Sequence, residues 1–136
     1  PLGVGSHQSI GGAEKMHDAV ASFVRTLCEF LLNKTGVEID PRHKLFPWVI
    51  MHATYLVGHW HQRREGLTAY RALTGRDCDH ALCIFGETVH FKDDEIAGKS
   101  KAKWFKGVWV GIDQRNTGGH IVLTTGGYEI CRSVSR

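Results

Sequence analysis

One carboxylate in this chain stands where chemistry can be done. The run His7-Gln8-Ser9-Ile10-Gly11-Gly12-Ala13-Glu14-Lys15 leads straight into an amphipathic helix. It puts Glu14 near the helix start, behind a glycine-rich bend and with Ser9 as cap, where an acid can hold a metal ion for phosphoryl transfer. An acid in a first turn also simply favours the helix dipole, and position alone leaves both readings open. Asp18, one turn on along the same face, is either a substitute ligand or a solvated charge that repels Glu14. Lys15 and Arg25 can reach phosphates from this helix or be merely exposed.

Two further groups carry reactive types. Cys78-Asp79-His80-Ala81-Leu82-Cys83 holds three soft ligands in a short space, with His59, His61 and Cys131 as further candidates. The spacing fits no common pair of zinc half-sites, and Cys83 falls inside an apolar run, so buried and solvated residues compete with a structural zinc. Lys99, Lys101, Lys103 and Lys106 alternate around Trp104 and, with Arg115, Arg132 and Arg136, make either a phosphate-facing edge or an ordinary solvated face.

The elements that must position these residues change character along the chain. At 100° per residue, Met16, Val20, Phe23, Val24, Leu27, Phe30 and Leu31 share one helix face, with Glu14, Asp18, Ser22, Arg25 and Glu29 opposite. Gly36 supplies the stop. A second helix begins near Phe46 with Pro47 in its first turn, and Trp48, Met51, Tyr55 and Leu56 make its buried stripe. A short third helix runs over Ala69-Tyr70-Arg71-Ala72-Leu73, capped by Thr68 and stopped by Gly75. Beyond it the spacing predicts strands at Ala81–Phe85, Thr88–Phe91, Trp104–Ile112, Ile121–Thr125 and Tyr128–Val134, which suits a small barrel or open sandwich. Trp104, Phe105, Trp109, Phe91 and Tyr128 are its expected core.

Composition narrows the class. With 42% apolar and 23% charged residues among 136, the chain has the make-up of a folded protein of one domain or two small ones. It contains no run of about 18 apolar residues, so no membrane span is expected. A net charge of +3 permits nucleic-acid binding without demanding it, and nine histidines add charge below neutral pH. Four scattered cysteines read as reduced, intracellular thiols. The start, Pro1-Leu2-Gly3-Val4-Gly5-Ser6, has neither an initiator Met nor a signal pattern and reads as an excerpt or a trimmed end.

The order of the motifs resembles the integrase of copia-type retrotransposons and related retroelement Pol polyproteins. Gln8-Ser9-Ile10-Gly11-Gly12-Ala13-Glu14-Lys15 is similar to the family's Q-S-N-G-x-x-E-[RK], with Ile10 in place of Asn. The Arg25-Thr26-Leu27 helix followed by Trp48-Val49-Ile50-Met51-His52-Ala53-Thr54-Tyr55-Leu56-Val57 resembles its W-x-x-A-x-x-x-A-x-x-L-x-N, without the final Asn. Gly66-Leu67-Thr68-Ala69-Tyr70 with Gly75 is similar to K-T-P-Y-E…G, with Ala69 in place of Pro. Phe85-Gly86-Glu87-Thr88-Val89 and Gly107-Val108-Trp109-Val110-Gly111 resemble F-G-x-x-V and G-I-[FW]-[VL]-G of an SH3-like barrel. Each motif is weak alone, and the ordered set spans nearly the whole chain.

The resemblance implies an α+β fold in three parts. Residues 1–64 would be the last helices of a ribonuclease H-like catalytic core, 65–80 a linker with a short helix, and 81–136 an SH3-like β-barrel. It implies a catalytic, metal-binding role for Glu14 as the glutamate of a triad with two aspartates, holding Mg²⁺ or Mn²⁺. Two such ions about 3.5–4 Å apart stabilise the attacking and leaving oxygens. No Asp precedes Asp18 here, so this stretch alone is expected to be inactive and to carry no metal. DNA, as element ends and target, is the implied partner of the whole integrase, through Lys15, Arg25, Lys101, Lys103 and Lys106. Self-association through uncovered apolar faces is a further expectation; no membrane or small-molecule substrate is. A nuclear location is implied for an active parent. The alternatives are a non-enzymatic interaction module or domesticated relic, and a small zinc-dependent protein.

Overall fold

A computed structural model describes residues 4–63, 66–92, 104–115 and 118–136, with side chains from Glu14 onward. The fold is α+β: among the described residues there are three helices followed by a five-stranded antiparallel sheet. The chain divides into two compact units, Pro1–Cys78 and Asp79–Arg136.

The first unit is helical. Helix α1 spans Val4–Thr35, so it takes in Ser9, Gly11 and Gly12. The expected cap and bend therefore lie inside the helix; two glycines cost about 1 kcal/mol each there but do not break the backbone ladder. Gly36 closes α1 at φ +75°, its N–H donating to Leu32 O. Helix α2 spans Phe46–His59 with Pro47 in its first turn, where a missing N–H costs nothing.

The face by which α2 is buried differs from the expected stripe. Val49, His52, Ala53, Tyr55 and Val57 are buried, whereas Met51 is exposed and Trp48 half-buried. Tyr55 of the expected stripe is buried, and the small Val49 and Ala53 are fully buried beside it, so the buried arc is centred away from Trp48 and Met51. Leu31 and Ile39 join this core, and the Phe23 ring meets His61 edge-on at 5.7 Å. Helix α3, Ala69–Thr74, is as its termini dictate. Thr68 Oγ1 accepts from Arg71 N at 3.0 Å, and Gly75 sits in the left-handed region at φ +79°.

The second unit is a single sheet. Strands β1 (Thr88–Lys92), β2 (Trp104–Asp113), β3 (Gly119–Thr124), β4 (Gly127–Cys131) and β5 (Val134–Ser135) are arranged in the order β4-β3-β2-β1-β5. β5 returns to the outer side of β1, and β4 and β5 form the two edges, so the sheet is not closed into a barrel. Strict alternation in β1, with Val89 and Phe91 buried between exposed neighbours, marks one face as the core side. Phe91, Trp109, Val122, His120 and Cys131 fill that side. The register shifts between Trp109 and Gly111, and Gly111 takes φ +145°, so a bulge lets both Trp109 and Ile112 stay buried.

Two parts of the sheet unit depart from what the spacing predicts. Ala81–Phe85 is not a strand: the segment turns instead, with Glu87 N donating to Ile84 O at 3.0 Å, because Gly86 (φ +85°) bends the chain before an apolar run can pair. Trp104, Phe105 and Tyr128 are not core. Trp104 and Tyr128 point to the face opposite Trp109, and Phe105, on the core side against the Phe91 ring at 5.9 Å, still keeps about a third of its surface exposed.

Candidate functional site

Helix periodicity decides what Glu14 can reach. Glu14, Lys15, Asp18, Ser22, Arg25 and Glu29 are all exposed, and at 100° per residue they fall within one solvent-facing arc of α1. Glu14 and Arg25 lie on nearly the same line, about 16 Å apart along the axis. Glu14 and Asp18 are one turn apart, with their Cβ atoms roughly 6 Å from each other. Among the described residues no three His, Cys, Asp or Glu side chains gather as a metal site. Two exposed carboxylates on one helix do not fit a two-metal centre, whose ions need several oxygens converging from different directions. No catalytic step is therefore assigned to them in this stretch of chain.

The candidate zinc ligands have other neighbours. The Cys78 sulfur lies 3.6 Å from the Tyr55 hydroxyl, inside the helical unit. In the sheet unit, a side chain at Gly118 would meet the His80 ring at 3.1 Å, and Cys83 hydrogen-bonds Glu87. No disulfide involves the four cysteines. Burial pushes the Cys83 thiol up, and the Glu87 carboxylate adds to it, so the thiol is disfavoured as a thiolate ligand.

The basic edge is partly defined. Lys106 is exposed on β2 opposite His90, while Lys99, Lys101 and Lys103 lie outside the described residues. The arginines grouped with them have local partners. Arg136 reaches Glu87 through Nε at 2.7 Å and a second nitrogen at 3.3 Å. Burial raises the Glu87 carboxyl, but the Arg136 guanidinium, the Ile84 backbone and the Cys83 thiol outweigh it and hold the group below its ordinary value. Arg115 stands 3.8 Å from the buried Asp113. Arg132 is exposed.

Two polar clusters in the interior were not anticipated from sequence. In the helical unit the buried Tyr55 ring stacks on His59 at 4.3 Å and on His52 at 6.1 Å, and its hydroxyl takes the Trp60 N–H at 3.4 Å. Burial and Cys78 both push that phenol up, so it is neutral at any ordinary pH. His59 in turn lies 5.0 Å from the Tyr70 ring. The spacing His52-x-x-Tyr55-x-x-x-His59 could have signalled this cluster, since it puts all three on one helix flank. In the sheet unit Trp109 Nε1 donates to His120 Nδ1 at 3.0 Å, both side chains being buried.

Among the described residues, no helix is long and apolar enough to cross a membrane. Comparison of the chain with family models, curated proteins and solved structures gives no match.

Proposed function

We propose that this chain is part of a copia-type retrotransposon integrase, joining the closing helices of a ribonuclease H-like core to an SH3-like, DNA-binding domain built on the open sheet. The observation that carries the reading is a pairing between two of the resembling segments. Gly86 N donates to Trp109 O at 2.8 Å, and Trp109 N donates to Glu87 O at 2.9 Å. Phe85-Gly86-Glu87-Thr88-Val89 and Gly107-Val108-Trp109-Val110-Gly111 thus act as one structural unit, as two motifs of one small SH3-like domain should. The strand order, in which the last strand returns beside the first, supports the same winding.

In this reading Glu14 is the glutamate of a triad and binds Mg²⁺ or Mn²⁺ only beside two aspartates from other elements. The metal would supply the charge stabilisation of phosphoryl transfer. Lys15, Arg25 and Lys106, with Lys101 and Lys103, contact DNA phosphates, and an active parent works in the nucleus. One observation favours a second reading, a non-enzymatic interaction module or relic that self-associates. Ile50 and Met51 on α2 and Leu73 on α3 are exposed, Leu73 by 88%.

The test is strand transfer by a longer reading frame that includes sequence before Pro1. Mg²⁺-dependent joining of duplex ends is expected, and Glu14→Gln should abolish it while leaving DNA binding in place. Undiminished joining by Glu14→Gln would sink the catalytic assignment. Absence of joining, together with concentration-dependent assembly that Met51→Lys disrupts, would favour the interaction module.

A further inference from the structure

The side of the sheet away from its core exposes aromatic rings among positive charges. Register and alternation put His90 and Lys92 of β1, Trp104 and Lys106 of β2, Leu123 of β3 and Tyr128 of β4 on this one face. Lys92 pairs with Trp104, His90 with Lys106, and Leu123 with Tyr128. Trp104 is 50% exposed and Tyr128 53% exposed. Large rings normally dominate a core, and here two of the sheet's largest are half exposed while Trp109 fills the interior.

Among the described strand residues, the exposed charges on the face are lysines. The face's carboxylate among these residues is Asp113, which is buried at the far end of β2 and accepts from Arg115 N at 3.1 Å. Glu129 pairs with Val122 and belongs to the other face. Lys106 therefore projects between Trp104 and Tyr128, with no acid beside it among the described strand residues. From strand geometry the two rings stand roughly 17 Å apart, too far for one planar group to touch both. A second copy of the face is a poor occupant, because both copies would present the same exposed lysines.

We propose that this face binds single-stranded nucleic acid, with unpaired bases stacking on Trp104 and Tyr128 and the intervening phosphates held by Lys106 and Lys92. Unpaired bases expose π-faces that a duplex hides in its own stack, and an anionic backbone matches the sign of the charges. The inference rests on the DNA-binding half of the reading above and is independent of Glu14.

The test uses the full 136-residue chain. Fluorescence anisotropy compares a labelled oligothymidylate of about 16 nucleotides with a duplex of the same length. Tighter binding of the single strand is expected. Trp104→Ala and Tyr128→Ala should each weaken it by roughly 5- to 150-fold, Trp104→Phe much less, since a ring remains. Lys106→Glu should weaken it and flatten its salt dependence. Because both aromatics are exposed, their loss should leave the far-ultraviolet circular dichroism unchanged. Equal affinity of wild type and Trp104→Ala, or a preference for duplex, overturns this inference while salt-dependent duplex binding keeps the DNA-binding reading. Failure to bind either nucleic acid at low salt overturns both.

Discussion

The indole N–H of Trp109 donates to Nδ1 of His120, and this one bond fixes the state of a buried imidazole. An indole nitrogen can only donate, so Nδ1 must accept and the ring proton sits on Nε2. A protonated imidazole has no acceptor left, and the bond is lost. The two residues are diagonal neighbours across β2 and β3, since Trp109 pairs with Val122.

Acid should therefore loosen the sheet. Burial lowers the His120 pKa from its ordinary value of 6.5, and the nearby His80 lowers it further. The unfolded chain then takes up a proton that the folded one refuses, so stability is present above about 6.5 and falls as pH drops below it. Protection factors of the β2 and β3 amides, corrected for the intrinsic slowing of exchange in acid, are expected to fall between pH 7 and 5. His120→Asn, whose amide oxygen stands close to the Nδ1 position and does not titrate, should flatten that dependence. An unchanged pH profile in the variant would remove His120 as its cause.

The helical unit carries a parallel sensitivity at His52. Its side chain is buried on α2, stacked near Tyr55, and burial pushes its pKa down to about 4. The sign is the same: the unfolded imidazole protonates near 6.5, and the folded one resists until about pH 4. Across that window the penalty grows to roughly 3 kcal/mol. Helical circular dichroism followed in urea should show a midpoint that falls steadily over this range. His52→Leu, which fills a similar space without a charge to bury, should lose most of that slope. A midpoint as pH-dependent in the variant as in the wild type would assign the acid sensitivity elsewhere.

The parts legible in the sequence were those set by local chemistry. Thr68 and Gly75 delimit α3 because a cap oxygen and a left-handed residue act within one turn. Pro47 marks the start of α2, and Thr88 through Phe91 alternate as a half-buried strand does. The exposed line of Glu14, Asp18 and Arg25 follows from helix periodicity alone. What escaped was set by partners distant in sequence. The apolar Ala81–Phe85 run gave no warning that Gly86 would bind Trp109 O. The hydrophobicity of Trp104 and Tyr128 argued for burial, yet strand pairing and alternation put them on the face opposite Trp109. The Trp109–His120 bond depends on that pairing too.

Two glycines make opposite predictions for one substitution. At Gly107 an added Cβ would collide with the Val122 Cγ1 and lie 2.8 Å from Leu123 O. The carbonyl belongs to the β3 backbone, so relief requires β2 and β3 to separate. Gly107→Ala should cost at least about 1–3 kcal/mol, the range for forcing atoms into a packed core. At Gly58, within α2, no atom lies within 4 Å of the added Cβ. Gly58→Ala should stabilise the helical unit by about 0.5–1 kcal/mol, because alanine has less backbone freedom to lose in a helix. Urea midpoints read by helical circular dichroism for Gly58→Ala and by β2–β3 amide exchange for Gly107→Ala separate the two effects. If Gly107→Ala leaves sheet protection unchanged, the close approach of β3 to β2 at that position is wrong, and with it the reason for glycine at the start of that segment.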